Sequence, residues 1–152
     1  MEKRLLIGAI GGGVAGVIKD IPDAFLHNVL KITTITFWDY AGMITLGSHP
    51  QGLLEQIYSF ILEVIFSILL GIIFAYLTAR FKLKQHLLWG GFYGAVVWLT
   101  IRTAVTVFGI KSLANRDFLT AVINSLNSIL YGIILGYVIR YLEKKEKVQT
   151  QT

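Results

Sequence analysis

The sequence predicts an all-α integral membrane protein. The predicted fold is a four-helix bundle of two helical hairpins in a weak parallel repeat, with an interfacial segment on its outer side. Three observations support this class. Of the 152 residues, 55% are hydrophobic, and the mean hydropathy is +0.65. Four apolar segments each reach the roughly 20 residues that a helix needs to cross a bilayer. The basic residues follow the positive-inside rule.

The four segments are apolar nearly all round, whereas the surface helices of a soluble domain keep a polar face. The predicted spans run over residues 5–30, 53–79, 87–108 and 118–142. We therefore expect a single transmembrane domain over residues 1–142, with an outer loop over residues 31–51. Residues 143–152 are predicted to form a cytoplasmic tail.

Basic residues lie mainly on one side of these spans. Nine of the 14 Lys and Arg residues fall on the side that carries both termini: Lys3, Arg4, Arg80, Lys82, Lys84, Arg140, Lys144, Lys145 and Lys147. Three fall on the other side, namely Lys31, Lys111 and Arg116, and Lys19 and Arg102 fall within spans. Because cytoplasmic loops carry the excess of Lys and Arg, both termini are predicted to be cytoplasmic. This distribution accounts for the net charge of +5 without a nucleic-acid partner.

An internal repeat relates the second and fourth spans. A shift of 61 residues places GIIFAY (residues 71–76) on GIILGY (residues 132–137) and Glu63 on Asn124. The match predicts two hairpins related by an axis along the membrane normal, as in the parallel repeats of some transporters.

Each span carries small and polar residues at four-residue spacing, which places them on one helix face. Small residues allow helix backbones to approach closely in lipid. We predict that six glycines serve helix packing in this way: Gly12, Gly16, Gly71, Gly94, Gly132 and Gly136.

The same faces carry charged and amide side chains at one depth. At a rise of about 1.5 Å per residue, one residue from each span lies about 22–24 Å from the cytoplasmic end. The sequence therefore predicts an intramembrane polar site of Lys19, Asp20, Asp23, Glu63, Arg102, Asn124 and Asn127. Opposite charge at matching depth further predicts that Glu63 pairs with Arg102. Because an ionised group near the bilayer centre costs about 2.5–3.5 kcal/mol, two interpretations stay open: a ligand or ion site, and a structural ion-pair network.

The first span and the outer loop each carry an unusual feature. Pro22 indicates either an unwound turn, which could coordinate a cation or polar solute, or the point where the helix leaves the membrane. Residues 37–46 are predicted to form a short interfacial helix ending near Gly47. Its aromatic residues suit the headgroup region, and it would act either as an anchor or as a lid over an outward-facing cavity.

We predict no metal, no cofactor and no enzymatic activity. Asp20, Asp23 and His27 share one helix face, and such ligands would suit manganese, magnesium or ferrous iron. Three polar residues in an interfacial turn do not by themselves define a metal site. The chain has no cysteine, and it shows no nucleophile–base pair or phosphate-binding glycine loop.

The stretches FWDYAGMITLGSHPQGLLEQIYSFI, LGIIFAYL and LLWGGFYGAVVW resemble those of uncharacterised small four-span integral membrane proteins of Gram-positive bacteria. The resemblance implies a bacterial plasma membrane and carries no functional residues. We expect a transporter or channel component for a small polar solute or ion, and four spans favour a homodimer. The alternative is a non-transporting membrane partner that stabilises or regulates another membrane complex.

Overall fold

The computed structural model describes residues 2–110, 113 and 117–149, and side chains as far as residue 146. Lys111 and Arg116, two of the basic residues on the predicted outer side, lie outside the described residues. The described secondary structure is all α-helical, which confirms the predicted class. The helices with described bounds are α1 (Glu2–Asn28), α2 (Phe37–Leu46), α3 (Gly52–Arg80), α4 (His86–Val107) and α5 (Phe118–Gln149).

The ends of α2 follow from its flanking residues. The backbone N–H and the hydroxyl of Thr36 both donate to Asp39 Oδ2, at 2.7 and 2.8 Å, and these bonds fix the first turn. Gly47 ends the helix in the left-handed conformation, with φ of 76°, which glycine adopts without strain. The predicted short helix therefore exists with the expected bounds.

Pro22 lies inside α1 and does not interrupt it. Of the two interpretations of Pro22, the unwound turn is therefore wrong. A proline removes one backbone hydrogen bond, and helices packed in a membrane tolerate that loss when neighbouring groups compensate for it. Here α1 is packed against neighbours on both sides, so the helix continues to Asn28.

The four long helices pack in the lateral order α3, α1, α5, α4. Each neighbour runs antiparallel to the next, and glycines let the backbones touch within the pairs α1/α3 and α4/α5. A Cβ atom built on Gly12 would collide with the Ser67 carbonyl of α3, and one built on Gly94 would collide with the Ser128 carbonyl of α5. In contrast, α3 and α4 touch sparsely. Tyr93 of α4 bridges them, because its hydroxyl donates to the Leu70 carbonyl at 3.0 Å.

The helix pairs α1/α3 and α4/α5 use corresponding glycines, in agreement with the repeat. A Cβ atom on Gly71 would strike the Gly8 carbonyl of α1, and a Cβ atom on Gly132 would strike the Gly90 carbonyl of α4. Gly71 and Gly132 are the residues that the 61-residue shift superposes. The pair α1/α3 is therefore packed in the same way as the pair α4/α5.

Helix α2 fills the outer end of the gap between α3 and α4. Its residues Phe37, Tyr40 and Met43 are buried together with Trp98 and Val105 of α4. On its other side, Gly42 packs directly against the Ser59 side chain of α3. The aromatic residues Phe37 and Tyr40 were expected at the headgroup level. Both rings are buried in the gap between α3 and α4, so they contact protein at whatever depth α2 occupies.

Within the described residues, three helices are long and apolar enough to cross a membrane: Glu2–Asn28, Gly52–Arg80 and Phe118–Glu146. Helix α4 is not among them. It has 22 residues, and Arg102 and three glycines lower its hydropathy. The last helix also continues beyond the predicted span, because residues 143–149 of the predicted tail are helical.

Candidate functional site

Lys19 forms the centre of a buried ion cluster between α1 and α3. Its ammonium group lies 2.5 Å from Asp20 Oδ1 and 2.8 Å from Glu63 Oε1. The Ser67 hydroxyl donates to the same Glu63 oxygen at 2.7 Å. The side chains of Lys19, Asp20 and Glu63 are each 5% exposed or less. One ammonium group thus contacts two carboxylates, and all three side chains are buried.

Arg102 does not pair with Glu63. Its Nη1 atom donates to the Leu113 carbonyl at 3.0 Å, and the side chain is half-buried. The predicted pair is wrong because depth alone does not set lateral position. The helices α3 and α4 diverge at this level, and α2 lies between them, whereas α1 packs directly on α3 and brings Lys19 to Glu63.

Asp23 joins three elements at the outer edge of the cluster. Its Oδ2 atom accepts a hydrogen bond of 2.6 Å from the backbone N–H of Phe37, the first residue of α2. Its Oδ1 atom accepts one of 3.0 Å from the amide of Asn127 on α5. A carboxylate at a helix N-terminus is stabilised by the unpaired N–H groups there. Asp23 therefore holds α2 onto the ends of α1 and α5.

Asn124 lies on the α5 face that points inward and is fully buried. Its amide nitrogen is 3.5 Å from the Tyr40 hydroxyl of α2, at the limit of a hydrogen bond. Asn124 Oδ1, Asp20 Oδ2 and Glu63 Oε2 are buried and have no hydrogen-bond partner among the described residues. Buried polar atoms without a partner are uncommon in folded proteins, so the two that belong to the ion cluster, on Asp20 and Glu63, indicate room for a donor or a cation.

The six glycines predicted for packing are placed where helices cross. A Cβ atom on Gly16 would lie 2.7 Å from the Ser67 Cβ atom. One on Gly136 would collide with the His86 carbonyl at the start of α4. Gly12, Gly71, Gly94 and Gly132 make the backbone contacts described above. These glycines therefore set the distance between helices and, with it, the position of the polar side chains on the same faces.

A cavity of about 390 Å³ lies between α3 and α4, with α2 over its outer end. Lys19, Glu63, Ser67 and Ser128 border it from the interior, and its other walls are mainly apolar. Its aromatic walls come from α2, α3, α4 and α5, and comprise Phe37, Tyr40, Phe66, Trp98 and Tyr131. The cavity therefore joins an apolar space to the ion cluster.

The aromatic walls were not predicted as part of the site. Trp98 lies at four-residue spacing from Gly94 and Arg102, on the same helix face as Gly90. This spacing could have predicted that Trp98 faces the site. The rings of Phe37 and Tyr40 each lie 5.6 Å from the Trp98 ring. Tyr131 carried no such signal. Its hydroxyl donates to the Ser67 carbonyl at 2.7 Å and ties α5 to α3 behind the cavity.

Polar contacts also close the outer ends of the helices. Asp117 precedes α5 and accepts a hydrogen bond of 2.9 Å from the Thr120 backbone N–H. That bond holds the pKa of the exposed Asp117 carboxyl below its usual value. The Thr34 backbone N–H donates to the Thr120 hydroxyl at 3.1 Å. His27 Nδ1 lies 2.9 Å from the Thr33 carbonyl, so the histidine of the hypothetical metal face contacts the loop rather than Asp20 or Asp23.

The opposite end of the molecule is basic. A second cavity, of about 580 Å³, is bordered there by Lys3, Arg4, Lys82 and Lys84. Acidic residues of α5 also line it. One of them, Glu146, lies 3.4 Å from the Lys3 ammonium group. The basic residues of the N-terminus, the α3–α4 turn and the end of α5 are thus grouped at one end of the helices.

These features define a helical membrane protein that carries buried charged residues between its helices. The chain belongs to a family of unknown function, DUF6789, whose sequence model matches residues 3–150. The match covers nearly the whole chain and agrees with the resemblance to uncharacterised proteins. No curated protein and no solved structure matches the chain.

Proposed function

We propose that the chain is a four-span protein of the bacterial plasma membrane with both termini in the cytoplasm. Helix α4 packs on α5 through backbone contacts as close as those between α1 and α3. A bilayer that surrounds α1, α3 and α5 would therefore surround α4 as well. The end that carries Lys3, Lys82 and Lys84 is the cytoplasmic end under the positive-inside rule.

We propose further that the protein is a transporter or channel component whose cargo binds beside Lys19 and Glu63. The observation that carries this proposal is the cavity that ends at their ion pair. Its volume of about 390 Å³ is within the range of small-molecule sites, about 300–1,000 Å³. A network that served stability alone would need only side chains around it, and it would gain nothing from an open space. The proposal includes no catalytic step.

The position of α2 gives the proposed transporter a closed outer side. Ser59 and Thr120 lie just outside the ion cluster, and both are fully buried. Ser59 lies beneath Gly42 of α2, and Thr120 contacts Thr34 of the loop that precedes α2. Release of cargo to the outside would thus require α2 to move. The hydrogen bond between Asp23 and the first N–H of α2 is one of the contacts that would then break.

The test is transport by the purified protein in liposomes. Currents and uptake would be recorded with small inorganic cations, organic cations and neutral polar solutes, for the wild type and for Glu63→Gln. Glu55→Gln is the matched control, because Glu55 lies on the same helix but in its first turn, away from the cavity. We expect at least one class of solute to move with the wild type and the control and not with Glu63→Gln.

Native mass spectrometry from mild detergent would be measured on the same preparation. A homodimer is expected, because four spans give a single chain little room for a complete pathway. Absence of flux for every solute, together with a stable one-to-one complex with another membrane protein, would reject transport and favour the role of a membrane partner.

A further inference from the structure

We infer that the cargo of this site is a lipophilic cation, an organic cation that carries apolar or aromatic groups and reaches the cavity from the bilayer. The inference rests on the proposed function and adds the chemical class of the cargo and its direction of approach. It is carried by the charge of the site, the chemistry of the walls and the position of the opening.

The charge of the buried groups favours a positive ligand. Among the described residues, the buried carboxyl groups are those of Asp20, Asp23, Asp39 and Glu63, and the buried ammonium group is that of Lys19. The carboxyl groups of Asp23 and Asp39 accept hydrogen bonds from backbone N–H groups at the N-terminus of α2. Lys19 is therefore the one buried ammonium group among the described residues for the carboxylates of Asp20 and Glu63. Each of these carboxylates keeps one oxygen without a partner. A bound cation would supply the missing charge, whereas an anion would add to the excess.

The walls favour a cation with apolar groups over an inorganic ion. Aromatic faces attract organic cations through their π electrons, and Phe37, Tyr40, Phe66, Trp98 and Tyr131 all border the cavity. The site already stabilises one cation in this way, because the Lys19 ammonium group lies 4.4 Å from the centre of the Phe37 ring. A calcium ion would need six to eight oxygen ligands, which these rings do not provide.

The opening of the cavity faces the side of the molecule. It lies where α3 and α4 diverge, and the cavity-lining residues Ile65, Phe66 and Leu69 of α3 are exposed there. In a bilayer these side chains would contact lipid. Because α2 covers the outer end, the open path to Glu63 is lateral and apolar. An apolar cation would follow this path, and a hydrated solute would lose its water along it.

The proton competes with such a ligand, because it binds the same carboxylate oxygens. A lipophilic cation should therefore bind more weakly in acid, where protons compete for these oxygens. This dependence separates binding at the carboxylate from simple partition into the apolar walls, which does not change with pH.

The test compares two ions of the same shape and opposite charge. Binding of tetraphenylphosphonium and of tetraphenylborate to the purified full-length protein in detergent would be measured by equilibrium dialysis, with protein-free micelles as the blank. We expect saturable binding of tetraphenylphosphonium that weakens in acid and at least about tenfold weaker binding of tetraphenylborate. Glu63→Gln should weaken the phosphonium roughly tenfold or more, since it removes a charged partner, and Glu55→Gln should leave it unchanged.

A second variant keeps the inference testable if Glu63→Gln is poorly folded. Ile65→Trp adds bulk at the lateral opening, leaves every charge in place and alters a side chain that is 56% exposed. Because Ile65 lines the cavity, the variant should weaken the binding of tetraphenylphosphonium in the same dialysis, while circular dichroism and gel filtration match the wild type. Equal binding of the two ions, or binding that neither variant changes, would overturn the inference.

The outcomes also separate the two proposals. If tetraphenylphosphonium does not bind but liposomes transport an inorganic cation or a polar solute in a Glu63-dependent way, the inference is wrong and the proposed function stands. If nothing is transported and the protein is isolated in a stable complex with another membrane protein, the proposed function itself is wrong, and the lipophilic-cation inference falls with it.

Discussion

Replacing Lys19 by methionine should destabilise the protein more than replacing Glu63 by glutamine. Lys19→Met leaves Asp20 and Glu63 without their shared ammonium group, which lies 2.5 and 2.8 Å from their oxygens. Stranding a buried charge in this way costs about 3–5 kcal/mol. Glu63→Gln leaves Lys19 paired with Asp20 and loses one charge-assisted hydrogen bond, which corresponds to about 1.5–3 kcal/mol.

A pair of double-mutant cycles tests which cation is the partner of Glu63. The cycle of Lys19→Met with Glu63→Gln should give a coupling free energy of about 1–3 kcal/mol, because the two groups are in contact. The cycle of Arg102→Gln with Glu63→Gln should be additive to within about 0.5 kcal/mol, since Arg102 donates to the Leu113 carbonyl instead.

The assay is equilibrium unfolding by sodium dodecyl sulfate in mixed micelles, followed by circular dichroism. Lys3→Met is the control for loss of a lysine, because Lys3 is 78% exposed. It should change the free energy of unfolding by no more than about 0.5 kcal/mol. A Lys19→Met variant as stable as this control, or a stronger coupling of Glu63 to Arg102 than to Lys19, would refute the reasoning.

Three further predictions follow from packing, docking and topology. Gly12→Ala should destabilise the protein by about 1–3 kcal/mol, because its methyl group would strike the α3 backbone. Gly13→Ala should be neutral or stabilising, because a Cβ atom there would be 3.4 Å from its nearest neighbour, a flexible isoleucine. Equal effects in thermal unfolding would contradict the packing. Asp23→Ala should loosen the attachment of α2. A membrane-impermeant thiol reagent should therefore modify Ser59→Cys faster in the Asp23→Ala background than with Asp23 intact. An unchanged rate would show that Asp23 does not hold the helix. In intact cells the same reagent should reach Thr45→Cys, while a reporter fused to the C-terminus should indicate the cytoplasm. Protection of Thr45→Cys, or an external reporter, would reject the topology.

Patterns along the chain are enough to predict where helices form and which faces they bury. Apolar length predicted the long helices, and the four-residue spacing predicted the inward position of residues such as Gly12, Glu63 and Ser128, which are buried. The short helix Phe37–Leu46 was also predictable, because the glycine that ends it acts within one turn. These features depend on residues close together in the chain.

Which side chains meet follows from the packing of the helices and could not be predicted from these patterns. Periodicity gives the angle of a residue around its own helix and its depth, but not the helix that lies opposite. Glu63 and Arg102 share a depth, yet the lateral order α3, α1, α5, α4 brings Lys19 to Glu63 instead. The same order leaves α3 and α4 apart, so a cavity forms between them and α2 covers its outer end. Lateral order results from all helix contacts taken together, and so no single segment of the sequence encodes it.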